Sequence, residues 1–321
     1  MTALRWLLAL GISVAGLWFA LHGADWETMS ATVKNLRSPF WLAFFPLVVL
    51  FEFTVRSIRW KLLLDPLKPA PLKVLFPITN AAFFINNVLP FRAGEFARIY
   101  WTSQKTGVPL SSCVAVLAVD RLFDMATLLT MTFFVLLNKS ALFQSRKPIV
   151  LFATVTLGLL AAMALLARFP APFKSWMEKP AVPRFLTRWA HQFIEGSQAL
   201  RSTSTFLLAY LLSLSFWTVF ILVLRFLASL FSFSLSFTDA AFIEIAMCFG
   251  VLLPSAPGYV GTLEAAGVAA FAMLGFDRNV ALPFLLIVHF SQIMSTVVLG
   301  IPSLWIAGLK VHVPAADRPA P

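Results

Sequence analysis

The chain has 321 residues, 60% of them hydrophobic and 12% charged, with a formal charge of +11 from 25 Lys+Arg against 14 Asp+Glu. An ordinary soluble domain is about 45–50% apolar and about 25% charged, so a water-soluble core is excluded and an integral membrane protein is expected. The positive charges lie between hydrophobic runs, not on one solvated face, which excludes nucleic acid as a partner and fits the positive-inside bias.

Crossing a hydrocarbon core takes about 20 mostly apolar residues. Six segments qualify in chain order: 6–21, 40–56, 114–137, 148–167, 206–231 and 280–309. The first has no A-x-A-like cleavage site after it and reads as a retained span. Two further apolar stretches, 74–101 and 240–274, are interrupted by Pro and Gly. Counting Lys and Arg in the connecting segments puts seventeen on one side and six on the other. That bias predicts both termini in the cytoplasm of a multi-pass protein of the cytoplasmic (inner) membrane. Residues 170–201 carry Phe185, Trp189 and Phe193 at four-residue spacing, with Arg184 and Arg188 on another face. This pattern suits a helix lying in the headgroup layer, or a plain connector between spans. Cys113 and Cys248 sit in apolar stretches without metal-ligand spacing and read as packing residues.

The first interrupted stretch reads NAAFFINNVLPFRAGEFARIYW. After Pro90 its return arm carries Arg92, Glu95 and Arg98 within seven residues. A charge at the bilayer centre costs about 2.5–3.5 kcal/mol, so a re-entrant hairpin is expected rather than a span. The second reads CFGVLLPSAPGYVGTLEAAGVAAFAMLG, with Leu253–Pro254 matching Leu89–Pro90 and Glu264 in the place of Glu95. Arg121 follows Gly107 by 14 residues and His289 follows Gly275 by 14; Asp124 and Gln292 both fall at 17. Three expected spans separate the hairpins, so the second copy is inverted. Paired Gly/Pro-interrupted segments in inverted repeats point to a transporter's binding site.

The runs NNVLPFRAGEFAR, VDRLFD and LLPSAPGYVGTLEAA resemble the lysylphosphatidylglycerol synthase transmembrane-region family of flippase-like proteins. The resemblance implies movement of a polar lipid across the cytoplasmic membrane. Members that attach lysine carry a large soluble transferase domain for which this chain has no room, so aminoacyl transfer is not expected. A basic residue late in the family's pattern corresponds to His289.

The expected fold is an all-α integral membrane domain over 1–321, with six transmembrane helices and two opposed re-entrant hairpins. Residues 38–137 form the first repeat, 138–205 a linker span and cytoplasmic amphipathic segment, and 206–309 the second, inverted repeat. Pro90, Gly94, Pro254, Pro257, Gly258 and Gly261 would shape the hairpin turns. The two turns would meet near the midplane, where Arg92, Glu95, Arg121, Glu264 and His289 would line one cavity. Candidate substrate-binding residues are Asn87, Arg92, Glu95, Arg98, Asp120, Arg121, Asp124, Glu264, His289 and Gln292. Guanidinium groups grip phosphate bidentately, although Arg92, Glu95 and Arg98 also suit a solvated rim. Asp120, Arg121 and Asp124 read equally as headgroup ligands or as an internal ion pair. Asn80, Asn86 and Asn87 favour interhelical hydrogen bonds over ligand contact. Glu52 and Arg225, near span ends, suit snorkelling; Glu244 and Glu264 suit a proton or ion-coupling role; the many Phe suit lipid-facing packing.

The partner is therefore a membrane lipid with a polar or anionic headgroup. A second copy or a lipid-biosynthetic enzyme is the kind of protein partner such a chain admits. Four scattered His and no H-E-x-x-H argue against an intramembrane enzyme, and no cofactor or metal is expected. A channel or small-solute carrier is the alternative, since similar hairpins build ion filters.

Overall fold

A computed structural model describes residues 2–34, 44–89, 92–139, 147–168, 198–253 and 255–308. Among these residues there are eleven α-helices and no strands. Six have 20 residues or more: α1 (Thr2–Leu21), α3 (Phe45–Leu64), α6 (Leu110–Asn138), α7 (Lys147–Arg168), α8 (Thr203–Leu230) and α11 (Arg278–Ile306). At about 1.5 Å per residue each is at least about 30 Å long. The others are short: α2 (Trp26–Lys34), α4 (Leu72–Val88), α5 (Ala93–Thr106), α9 (Phe237–Leu252) and α10 (Thr262–Met273). Helix α2 has no counterpart in the hydropathy reading; it begins at Asp25, which accepts from Glu27 N–H and from the Thr28 hydroxyl. The Thr28 hydroxyl is the main cause that holds the Asp25 carboxyl below its usual range.

Two helices, α8 and α11, are long and apolar enough to cross a membrane by length and composition. The arrangement of side chains on α11 adds a second signal. Its inward face carries His289, Ser291, Ser295, Thr296, Gly300 and Ser303, while Phe290, Met294, Val298, Ile301 and Trp305 point outward. Over this second half small and polar residues lie inside and apolar ones outside, the pattern of a helix packed in lipid, while the first half buries Leu282, Phe284, Leu285 and Val288.

Helices α4 and α5 form one helical hairpin, α9 and α10 another. Each depends on a glycine where its arms touch. A Cβ on Gly94 would lie 1.8 Å from the Ala82 carbonyl oxygen, and one on Gly250 would lie 2.5 Å from that of Thr262. The first hairpin starts at the end of the bundle where Lys68 approaches Gly107 and Lys105 approaches Gly308. The second starts at the other end, where Lys139 pairs with Asp239 and Asn279 accepts from Asp25 N–H. A capping box of Ser236 and Asp239 opens α9. Each leading arm packs against the last helix of the other half, α4 on α11 and α9 on α6. The α4–α11 contact is close at Gly300 and tied by Asn80 to Ser303 and Asn87 to Thr296.

The interior departs from expectation in one respect. Phe231, Phe233, Phe271, Phe276 and Phe284 form a cluster of mostly edge-to-face rings between α8, α10 and α11. Much of the phenylalanine therefore packs the core instead of facing lipid, because bulky rings fill the space between helices that small residues leave open. Pro90 and Pro254 and the amphipathic pattern at Phe185, Trp189 and Phe193 lie outside the described residues.

Candidate binding site: a charged cluster beside the first hairpin

Glu52, Arg56 and Arg59 recur on α3 at spacings of four and three, which places them on one helical face. Asp120 and Asp124 do the same on α6. These faces meet, and Arg98 arrives from the return arm α5. Asp120 accepts from Arg59 Nε at 2.7 Å, Arg121 Nη2 at 2.9 Å and Arg98 Nη1 at 3.2 Å. Asp124 accepts from Arg59 Nη1 at 2.7 Å, pairs with Arg121 Nη1 at 3.0 Å and accepts from Arg56 Nη1 at 3.3 Å. Glu52 holds Arg56 at 2.8 Å. The side chains of Arg59 and Asp120 are 0% and 1% exposed. Such burial is tolerable only because every carboxylate meets at least one guanidinium.

Aromatic rings support the cations from behind. Arg56 stands over the Phe216 ring at 4.0 Å and Arg98 over Trp60 at 4.0 Å, while the Trp60 indole N–H donates to Thr102. Ser213 on α8 accepts from Arg59. These supports stack or hold the guanidinium planes in fixed orientations.

From the cluster a chain of pairs runs outward through Arg121 to Glu95 (3.6 Å) and from Glu95 to Arg92 (3.5 Å). All three are more exposed than the cluster's core: Arg121 is 29%, Glu95 20% and Arg92 38% exposed. Arg92 adopts a left-handed backbone at φ 54° as the cap of α5, a conformation that L-residues avoid. At the corresponding position of the second hairpin stands Gly261, with φ 92°.

The second hairpin repeats the pairing with different chemistry. Glu264 Oε2 accepts from Gly261 N–H at 2.7 Å, and Glu264 Oε1 meets His289 Nδ1 at 2.6 Å. Glu264 is 2% exposed and His289 5%. Arg92, Glu95 and Arg121 form one set of contacts, and Glu264 with His289 another. No hydrogen bond or ion pair joins the two sets among the described residues. The turns themselves approach each other, with the Asn87 carbonyl oxygen 3.6 Å from where a Cβ on Gly258 would stand. Pro257 opens the short turn Pro257–Tyr259, in which Gly258 has φ 71°.

Other expected residues fall outside the cluster. Asn87 is committed to Thr296, Asn80 to Ser303, and Asn86 accepts from Gly94 N–H across the first turn. Gln292 makes no side-chain hydrogen bond among the described residues. Glu52 does not snorkel; it is held inside by Arg56. Arg225 is exposed and donates to the Leu235 carbonyl. Arg56, Arg59 and Arg98, which the orientation count places in cytoplasmic loops, are buried; removing them leaves fourteen positives against six. Trp60, Ser213 and Phe216 were not legible as site residues. For Arg56 and Arg59 the signal was present in their helical spacing from Glu52, but charges at the end of an apolar run read as a loop.

Residues 6–300 match the family described as Lysylphosphatidylglycerol synthase TM region. No curated protein and no solved structure matches the chain.

Proposed function

The chain belongs to the lysylphosphatidylglycerol synthase TM region family, a membrane protein related to lipid handling, and from that premise we propose that it is a flippase-like transporter of a lipid with a polar or anionic headgroup. In this reading the six long helices span the inner membrane with both termini in the cytoplasm. The two short hairpins dip in from opposite faces as equivalent parts of an inverted repeat. The headgroup passes the charged cluster while its tail stays in the bilayer, and the protein performs no covalent chemistry.

The observation that carries the reading is the repeated pair. A glutamate in the first turn of each return arm meets a basic residue on the following long helix, Glu95 with Arg121 and Glu264 with His289. One pair is open and the other closed, as two equivalent gates in one state would be. The arms have 17, 14, 16 and 12 residues, or about 18–26 Å, short of a core about 30 Å thick.

The test is reconstitution into liposomes with a fluorescent phosphatidylglycerol and an impermeant quencher. Wild type should expose inner-leaflet lipid to the quencher and Arg121→Ala should not, with Asp124→Ala run beside it. Transport equal to protein-free vesicles sinks the proposal, and ion leakage without lipid movement favours a channel. Single cysteines replacing Ser30 and Ser202, with Cys113 and Cys248 removed, should label from opposite sides of the membrane.

A further inference from the structure

We infer that the first hairpin's site binds the phosphate of an anionic headgroup and disfavours a cationic, aminoacylated one; this rests on the lipid-handling reading above. The buried polar atoms of the cluster that lack a hydrogen-bond partner among the described residues are Arg59 Nη2, Arg98 Nε, Arg98 Nη2 and Arg121 Nε. All four are donors. Burying an unmet donor of a charged group costs more than burying a neutral one, so the arrangement calls for a ligand made of acceptors. A phosphate offers only acceptors, whereas an ammonium group would add donors to a site that already has too many.

Arg98 carries the argument furthest. Its plane is stacked on Trp60 and its Nη1 is tied to Asp120. The two free donors, Nε and Nη2, lie side by side on the remaining edge of the guanidinium. That edge is one complete bidentate fork, the geometry that matches two oxygens of a single oxyanion. Charge agrees with hydrogen bonding. The ion-paired cluster holds five arginines (56, 59, 92, 98, 121) against the carboxylates of Glu52, Glu95, Asp120 and Asp124. Glu244 Oε2 is also buried without a partner, but Glu244 lies on α9, where its other oxygen accepts from Cys248 Sγ.

The way in is the weakest link. Glu95 reaches Arg92 and Arg121 only at 3.5 and 3.6 Å, and these three are the most exposed members of the chain of pairs. A phosphate would take the place of the Glu95 carboxylate between the two arginines, one oxyanion exchanged for another. Arg121, released from Glu95, would then open the path to the Arg98 fork.

The experiment measures binding and requires no transport. The purified full chain in neutral detergent is titrated with phosphatidylglycerol, lysylphosphatidylglycerol and phosphatidylethanolamine, and separately with inorganic phosphate and soluble glycerophosphoglycerol. Phosphatidylglycerol should bind at least about tenfold more tightly than the two amine-bearing lipids, and Arg98→Lys, which keeps the charge but loses the fork, should erase most of that tenfold preference. Arg92→Gln, a change at the exposed mouth, should weaken phosphatidylglycerol severalfold and serves if Arg98→Lys does not fold. Equal or tighter binding of the lysylated lipid overturns the inference, as does an unchanged preference in folded Arg98→Lys, or in Arg92→Gln if Arg98→Lys does not fold. Inorganic phosphate binding as tightly as the lipid overturns the lipid as the source of the phosphate. Selective binding without transport in liposomes would sink the proposed function and leave the headgroup assignment standing.

Discussion

The two hairpins place a glutamate and a base in the same relation and do opposite things with them. In the second, Glu264 has both oxygens engaged at 2.6–2.7 Å, by Gly261 N–H and His289, and helix α1 seals the turn. A Cβ on Gly261 would fall 2.1 Å from the Ser13 carbonyl oxygen, and Ser13 Oγ accepts from Ala256 N–H. In the first, Glu95 is loosely held, half its partners face outward, and free guanidinium donors lie behind it. The difference teaches that the pairing alone does not make a binding site. A saturated pair closes a turn; an under-saturated pair with surplus donors leaves a place for a ligand.

The largest expected effect tests whether the cluster under the first hairpin is also structural. Arg59→Ala removes the closest of the two partners that Asp120 and Asp124 share and should cost about 3–5 kcal/mol, because both carboxylates lose their nearest cation. Thermal unfolding in detergent reads this. An unfolding curve that overlays wild type would mean the cluster carries no structural weight.

Removing each glutamate should separate the hairpins. Glu264→Ala orphans Gly261 N–H and His289, each at about 1–3 kcal/mol, whereas Glu95→Ala should cost under about 1 kcal/mol, since its contacts are long and partly exposed. Equal losses would contradict the closed-versus-open contrast.

The two caps offer a reciprocal exchange. Gly261→Ala puts a Cβ into the Ser13 carbonyl at a left-handed position, an overpacking of about 1–3 kcal/mol. Arg92→Gly relieves the left-handed backbone and should leave stability within about 1 kcal/mol of wild type while weakening phosphatidylglycerol binding. If Arg92→Gly unfolds the protein, Arg92 is a structural strut and not the mouth of the site.

The smallest effects concern the seam that fixes the first leading arm. Asn80→Ala and Asn87→Ala should each cost about 0.6 kcal/mol, the usual worth of an interhelical polar contact in a membrane protein. A loss of transport out of proportion to that change would return Asn87 to the list of ligands.

The residues themselves determined the helical membrane character, the positions of the long helices and the breaks at 89–92 and 253–261. Those features depend on local composition: apolar length makes a helix that can be buried in lipid, and Pro with Gly stops it. The equivalence of Arg121 and His289 was also legible, because each lies 14 residues after the Gly that precedes its helix, whereas their pairing with the return-arm glutamates was not. The sequence could not separate a charge in a loop from a charge in the core, and so Arg56 and Arg59 read as loop charges and Arg98 as either rim or lining. Their burial depends on Asp120 and Asp124 arriving from a helix 61–68 residues away for Arg56 and Arg59 and 22 away for Arg98, and a desolvated cation is stable only if such a partner is brought to it. The choice between a loosely held first pair and a closed second one was likewise made by tertiary packing. Helix α1 lies over the second turn, and no local pattern in either hairpin encodes where a distant helix will lie.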